Sequence, residues 1–218
     1  MKIMIFGTGD FARVAQVYLA NDSPHEVVAF TVNEQYIKEP KLRGLPVVPF
    51  ETIEETHPPG EFGMFVAIGF SRLNEARREV FEDCRSRGYQ LVSYVHSGVV
   101  RWEESSIGDN TFVFEENVVQ PFVSIGDNTI LWSGNHIGHD VTIGSHVFIA
   151  SHAVVSGNTT IGDSCFVGVN ATFRDGITVA PRCVIGAGAL VMKDTSEGDV
   201  LAPRADKPLE KKSWELDF

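Results

Sequence analysis

The chain has 218 residues, 43% of them apolar, 10% aromatic and 22% charged. That composition supports a full hydrophobic core over one or two domains and excludes a disordered chain. A formal net charge of −11 excludes a general nucleic-acid binder, whose surface must offset phosphate charge. No apolar run approaches the ~20 residues that span a bilayer, so no membrane insertion is expected. The apolar start at residues 1–7 is too short for a signal peptide. Three cysteines, Cys84, Cys165 and Cys183, make no disulfide framework, and the expectation is a reduced, cytoplasmic protein. The charge is uneven: residues 1–106 hold 11 Lys+Arg and 15 Asp+Glu, residues 107–218 hold 7 and 14, and no cation occurs between Arg101 and Arg174.

Lys2-Ile3-Met4-Ile5-Phe6 reads as a buried strand. Gly7-Thr8-Gly9-Asp10-Phe11-Ala12 follows and matches G-x-G-x-x-[GA], leading into a helix from Arg13 to about Ala20. Such glycines let backbone N–H groups approach a diphosphate at a helix N-terminus; a tight strand-to-helix turn with no ligand is the plain alternative. Glu26-Val27-Val28-Ala29-Phe30 is a second strand. Glu34, beyond its end, only loosely fits the acidic residue that holds ribose in dinucleotide folds. Met64-Phe65-Val66-Ala67-Ile68 is another strand, followed by a helix from about Leu73 to Arg87 with Gly88 as its stop. Tyr89 to Tyr94 reads as the last strand. The expectation for residues 1–100 is a small Rossmann-like α/β domain with a parallel sheet. It is half the size of a dinucleotide fold and fits a mononucleotide or nucleotide diphospho-sugar better. Arg101-Trp102-Glu103-Glu104 marks the junction.

From Ile107, steps of six land on Val113, Val119, Ile125, Leu131, Ile137 and onward to Val191. All fifteen positions are apolar and fourteen aliphatic; Gly follows in seven, and Ser, Thr, Ala, Cys or Val stands four places on in twelve. Neither a period-2 strand nor a 3.6-residue helix keeps a period of six over this length. The pattern is a hexapeptide-repeat parallel β-helix. Each aliphatic side chain points inward, a glycine or small residue relieves the corner, and three units close a coil. Five coils over 107–196, stacked at ~4.8 Å, give an all-β second domain within 101–218. Tight corners leave few long side chains, which accounts for the missing cations. Cys165 and Cys183, 18 apart, stack on adjacent coils as small corner residues.

Four histidines crowd one window: His136, His139, His146 and His152. Three imidazoles converging at about 2.0–2.1 Å would hold zinc. Alternatively His139 is a single base, oriented by Asp140. Gly157 lies 18 residues after His139 and therefore on the next coil, so its N–H would stand beside whatever the base activates. A base next to an oxyanion donor is what acyl transfer needs.

Together these residues resemble the bacterial nucleotide-sugar acetyltransferases of the left-handed β-helix class, the family of the bacillosamine-pathway N-acetyltransferase and the sialic-acid O-acetyltransferase-like proteins. The resemblance covers about residues 1–204. It rests on Ile5-Phe6-Gly7-Thr8-Gly9, Val66-Ala67-Ile68-Gly69, Tyr94-Val95-His96, His136-Ile137-Gly138-His139-Asp140, Ser156-Gly157-Asn158, Ile161-Gly162-Asp163-Ser164-Cys165-Phe166-Val167-Gly168 and Ile185-Gly186-Ala187-Gly188. It implies the left-handed sense of the coil and a homotrimer with active sites between subunits. It also implies acetyl-CoA as co-substrate, with no metal. His139 becomes the general base, Asp140 the residue that raises its basicity, and Gly157 the oxyanion donor. A UDP- or dTDP-linked amino sugar falls on Gly9, Asp10, Phe11, Val32, Asn33 and Gly69, and acetyl-CoA runs along Phe148, Gly157, Val169 and Ala187. The family often has His where this chain has Phe11, and Asp-Asp where it has Val32-Asn33; a relative has His in place of Phe148. The implied reaction is direct N-acetylation, in the usual setting of a surface glycan such as O-antigen. Sugar O-acetylation, a zinc enzyme of the γ-carbonic-anhydrase type and a binding module without chemistry stand as alternatives. CoA phosphates need cations, and Arg174, Arg182, Lys193, Arg204, Lys207, Lys211 and Lys212 all follow the cation-free stretch, so the nucleotide end of CoA is expected toward the last coils and the tail.

Overall fold

The computed structural model describes residues 1–203, 210 and 212–215. Arg204, Lys207 and Lys211 of the expected CoA-phosphate set lie outside the described residues.

The N-terminal sheet contains β1 (Lys2–Phe6), β2 (Glu26–Val32), β3 (Lys41–Leu42), β4 (Leu45–Pro49), β5 (Gly63–Val66) and β6 (Gln90–Leu91), in the spatial order β3-β4-β2-β1-β5-β6. All neighbours are parallel except β3 and β4. Residues Ile3 to Phe6 are buried because β1 is central and covered on both sides. Helix α1 (Asp10–Asn21) starts three residues earlier than expected and turns Ala12, Ala15 and Leu19 inward. Helix α3 (Glu75–Ser86) covers the opposite side, with the one-turn α2 (Ile53–Thr56) before it. The β3–β4 hairpin was not anticipated. Pro46 and Pro49 make β4 look unlike a strand, and its turn is Arg43-Gly44, both at positive φ (47° and 84°).

The expected last strand, Tyr89 to Tyr94, divides. β6 ends the sheet at Leu91, and Tyr94–Val95 instead pairs with Phe112–Val113 as the first rung of the β-helix. The prism therefore starts below Ile107. Its three parallel faces hold seven, six and five strands. The six-residue lattice runs back through Arg101 and Val95. Arg101 hid the first coil because its position is at the open lower end of the prism and stays exposed.

Fourteen of the fifteen repeat positions are no more than 2% exposed, so the inward assignment holds along the whole prism. They form one core with the small residues four places on, Val141, Val147, Ala153, Cys165, Ala171 and Cys183 among them. The cysteines are free and buried. The corners correct the sequence reading. The left-handed conformation falls three residues after each inward aliphatic, at Asn110, Glu116, Phe122, Asn128 and on to Gly188, with φ between 51° and 75°. The glycine directly after the aliphatic is needed for space instead. A Cβ on Gly138 would stand 2.6 Å from the Gly157 nitrogen of the next coil, so backbone stacking forbids a side chain there.

The outward residue of each rung gives each face its own chemistry. The first face carries Tyr94, Phe112, Ile130, Phe148, Phe166 and Val184. The second carries Val100, Val118, His136, Val154, Thr172 and Leu190. The third carries Ser106, Ser124, Thr142, Thr160 and Thr178. The aromatic face packs against the N-terminal domain in one core with Ile3, Ile5, Ala15, Leu19 and Phe65; the hydroxyl face is exposed.

Polar contacts lock this junction. Arg77 of α3 is fully buried. Its Nε donates to Asn128 O (3.1 Å), Nη1 to Gly69 O (2.6 Å) and Asn74 Oδ1 (3.1 Å), and Nη2 to His146 O (3.2 Å) and Val147 O (3.1 Å). No carboxylate pairs with it among the described residues. Burial pulls the guanidinium pKa down to about 9, which leaves it charged at neutral pH. Asn110 adds a second tie: its Oδ1 accepts from Val66 N at 2.7 Å. Replacing Arg77 by Met strands several buried carbonyls at once. The expected loss is about 3–4 kcal/mol, or roughly 10 °C in the thermal midpoint. Arg77→Lys should not restore it, because one ammonium cannot reach the same acceptors.

A second junction contact is pH-sensitive. Asp22 accepts from Tyr94 Oη (2.7 Å) and Ser97 N (2.8 Å). These bonds, that from Tyr94 first, hold its carboxyl at about 2. The folded value lies below the ordinary carboxylate value, so this contribution is complete above pH ~4 and lost as pH falls toward 2. Acid unfolding of Asp22→Asn between pH 5 and 2 should be flatter than that of the wild type.

Candidate functional site

Strand order reverses at β1, between β2 and β5, and α/β sheets bind ligands at such a point beyond the strand C-termini. A cavity of about 680 Å3 lies there. All six residues expected to bind the nucleotide sugar line it: Gly9, Asp10, Phe11, Val32, Asn33 and Gly69. Gly7 has φ 123°, and a Cβ on it would come within 2.8 Å of Ala67 O, so the turn excludes a side chain. Gly9 and Gly69 have nothing within 4 Å of a built Cβ; their backbones are open to a ligand. Gly9 caps α1 without a side-chain bond, leaving the helix N-terminus free for an anion. Phe11 turns partly away, with its ring against Phe65, Phe112, Phe114 and Trp132.

The sequence reading missed the cations here. A cavity of about 330 Å3 shares Thr8 with the first and is lined by Arg13, Lys38 and Lys41. Arg72 lines the larger cavity and pairs with Glu79. Residues 72–74 are all left-handed, with φ of 52°, 52° and 68°, a strained run. It is held where Asn74 Nδ2 donates to Cys165 O at 3.0 Å.

The second constellation is at the corner between the aliphatic and hydroxyl faces. His139 Nδ1 lies 2.9 Å from Asp140 Oδ2, and Gln120 Oε1 accepts from the His139 backbone N–H at 2.9 Å. Asp140 has φ 58°; the left-handed corner position swings its carboxylate back onto the preceding ring. Both side chains are about half exposed (54% and 51%). A Cβ on Gly157 would stand 2.7 Å from His139 Nε2, so Gly157 is the floor over which the imidazole lies. The buried Gly157 N–H makes no hydrogen bond among the described residues, an unspent donor.

The three residues expected along acetyl-CoA are elsewhere in one chain. Phe148 is on the aromatic face, stacked with Phe166 and touched edge-on by Phe70. Val169 and Ala187 are exposed at the corner between the aromatic and aliphatic faces. The four histidines do not converge within one chain. His136 is outward on the aliphatic face. His146 is buried, with its Nδ1 2.8 Å from Asn128 Nδ2, and burial lowers its pKa. His152 is at another corner. Among the described residues no group of three or more His, Cys, Asp or Glu side chains could hold a metal ion, and no helix is long and apolar enough to cross a membrane.

A nucleotide-type crevice joined rigidly to a hexapeptide prism bearing a His–Asp pair describes an acyltransferase of the hexapeptide-repeat class. Residues 2–84 match the PglD N-terminal domain, and 123–157 and 158–193 match the bacterial transferase hexapeptide. The acetyltransferase domain of PglB from Neisseria gonorrhoeae superposes with a TM-score of 0.80 at 26% identity, over 95% of this chain and 99% of that one. The same domain in complex with acetyl coenzyme A gives 0.81 at 26%, over 95% and 98%. PerB from Caulobacter crescentus, in complex with CoA and GDP-perosamine, gives 0.81 at 25%, over 92% and 93%. No curated protein matches the sequence. The chain thus carries a PglD-type N-terminal domain followed by transferase hexapeptide repeats; it is an acyltransferase, and its prism is a left-handed β-helix.

Gly157→Ala should push a methyl group into the His139 ring without touching the rungs. The expected result is about a 10²-fold loss of acyl transfer, the usual cost of a misplacement near 1 Å, at an unchanged thermal midpoint.

Proposed function

We propose that the protein is an acetyl-CoA-dependent N-acetyltransferase acting on the amine of a nucleotide-linked amino-deoxy sugar, UDP- or dTDP-linked, with His139 as general base. The observation that carries this reading is the His139–Asp140 pair over Gly157. Asp140 engages Nδ1, which leaves Nε2 as the basic atom. That atom lies 2.7 Å from the place a Cβ on Gly157 would take, and the Gly157 N–H has no partner among the described residues. The sugar amine attacks the thioester carbonyl directly and Nε2 receives its proton. Asp140 stabilises the imidazolium, and Gly157 N–H donates to the developing oxyanion, worth roughly 3–4 kcal/mol in comparable sites. No acyl-enzyme forms.

Residues 1–100 hold the nucleotide sugar and residues 101–218 carry the transfer. The nucleotide lies in the crevice of Gly9, Asp10, Phe11, Val32, Asn33 and Gly69. Its phosphates lie against the α1 N-terminus, with Arg13, Lys38 and Lys41 alongside. Acetyl-CoA runs past Phe148, Val169 and Ala187. The aliphatic face lies between the corner of His139 and the corner of Val169 and Ala187. Val100, Val154 and Leu190 on it are 56%, 39% and 64% exposed, an apolar stripe of the kind that marks an interface. Packing that face around a threefold axis brings the first corner of one subunit to the second corner of the next, so the complete site is read as lying between subunits of a homotrimer. The three free cysteines suit the cytoplasm.

A screen of UDP-, dTDP- and GDP-linked amino sugars with acetyl-CoA, followed by thiol release, tests the substrate class; the GDP arm is included because PerB binds GDP-perosamine. His139→Ala should lower kcat by about 10²–10⁴-fold, the range for a lost general base, with the trimer intact by light scattering. Turnover near that of the wild type would remove His139 from the mechanism.

A further inference from the structure

Four carboxylates on the prism can be compared by what they hold. Asp127 Oδ1 accepts from Asp109 N at 2.8 Å, Asp163 Oδ1 from Ser145 N at 2.8 Å, and Asp194 Oδ1 from Thr178 N at 2.8 Å. Each satisfies a backbone N–H of a neighbouring turn. Asp175 does none of this. It is exposed, accepts no hydrogen bond and forms no ion pair among the described residues. Its sequence neighbour Arg174 sends Nη1 to Met192 O at 3.3 Å instead.

What Asp175 does have is a position. It stands 18 residues after Gly157 and 36 after His139, in one vertical column. A Cβ built on Gly157 would lie 2.7 Å from His139 Nε2 and 3.2 Å from Asp175 Oδ2. The imidazole nitrogen and the carboxylate oxygen thus both lie close to the same point, and the missing side chain keeps that point open.

We infer that Asp175 is the counter-charge for the acceptor, receiving a sugar amine in its ammonium form in front of His139 and so selecting an amine over a hydroxyl. The inference rests on the acetyltransferase reading above and specifies its acceptor. A primary amine is protonated at neutral pH, and an ammonium entering a site of neutral groups would lose hydration without replacement. A carboxylate beside the base supplies a charge-assisted hydrogen bond; an alcohol, being neutral, gains much less from it. The proton balance is complete: R–NH3+ and the acetyl thioester give the amide, free CoA thiol and one proton. The N–C bond forms as the C–S bond breaks. One nitrogen proton passes through His139 Nε2 to the departing sulfur, and the other leaves past Asp175 to solvent.

The test uses the full-length enzyme, wild type and Asp175→Asn, with whichever of the UDP-, dTDP- or GDP-linked amino sugars the wild type accepts in the screen above. The same nucleotide sugar with a hydroxyl in place of the amine serves as a competitive inhibitor. The expected result for Asp175→Asn is a KM for the amino sugar raised about 10–100-fold, with kcat changed less than about threefold. The wild-type preference for amine over hydroxyl should disappear, at an unchanged thermal midpoint. Asp163→Asn, which removes a structural carboxylate, should lower the midpoint and leave the preference alone. A preference undiminished in Asp175→Asn overturns the inference while the acetyltransferase reading stands. A wild type that acetylates none of the amino sugars overturns that reading, and the inference with it.

Discussion

The buried guanidinium of Arg77 is the contact on which the arrangement of this molecule depends. Its five N–H donors are all spent on neutral acceptors: carbonyls of two prism corners, the carbonyl of Gly69 at the rim of the nucleotide crevice, and the side chain of Asn74. A buried charge without a counter-charge is tolerated only when every donor is satisfied, so each partner must stay in place for the others to remain favourable. One side chain thereby fixes the loop after β5, the start of α3 and two successive coils relative to one another. The left-handed run at residues 72–74 is held in the same web through Asn74. The crevice and the prism are consequently one rigid frame, as the proposed reaction between a ligand of one and a base on the other would require.

The prism imposes its own constraint. Every residue has a counterpart 18 places away directly above it, so side-chain chemistry is organised in columns. The outward columns sort into an aromatic face that docks the N-terminal domain, an aliphatic face left uncovered in one chain, and a hydroxyl face toward solvent. A single column of aliphatics inside says nothing of this. Only the residue immediately before each inward position, taken every eighteenth place, separates the three faces.

This explains what was legible in the sequence. The inward positions repeat every six residues without interruption, and the glycine turn after β1 is a local pattern; both read directly. The six residues that now line one crevice came from the family resemblance rather than from any spacing, whereas His139, Asp140 and Gly157 could be set together because they are adjacent in sequence or one coil apart. The first coil was hidden by Arg101, whose place at the open end does not need an apolar side chain. The β3–β4 hairpin was hidden by its prolines. Arg72 joins the crevice from a loop, and Lys38 and Lys41 line the adjoining cavity from a loop and the two-residue strand β3, segments with no periodicity. The corner glycines were found for the wrong reason: backbone conformation belongs to the residue two places later, and the glycine itself answers to the coil stacked upon it.

The corner at His139 shows how far columns can bring distant residues together. Pro121, His139, Gly157 and Asp175 follow one another at intervals of 18, and only His139 and its neighbour Asp140 form a motif along the chain. Pro121 O accepts from Asp140 N at 3.2 Å and helps to set the corner that brings the carboxylate to the ring. Gly157 contributes by having no side chain, which makes room for the imidazole, and its N–H has no partner among the described residues. The same gap lets a carboxylate two coils from His139 reach the space before Nε2. An imidazole, a backbone N–H and a carboxylate are thus brought to one corner from three successive coils of the repeat. The stacking that makes the prism rigid also permits this economy: a substitution in the column changes what faces the reacting atoms while the rungs on either side remain as they were.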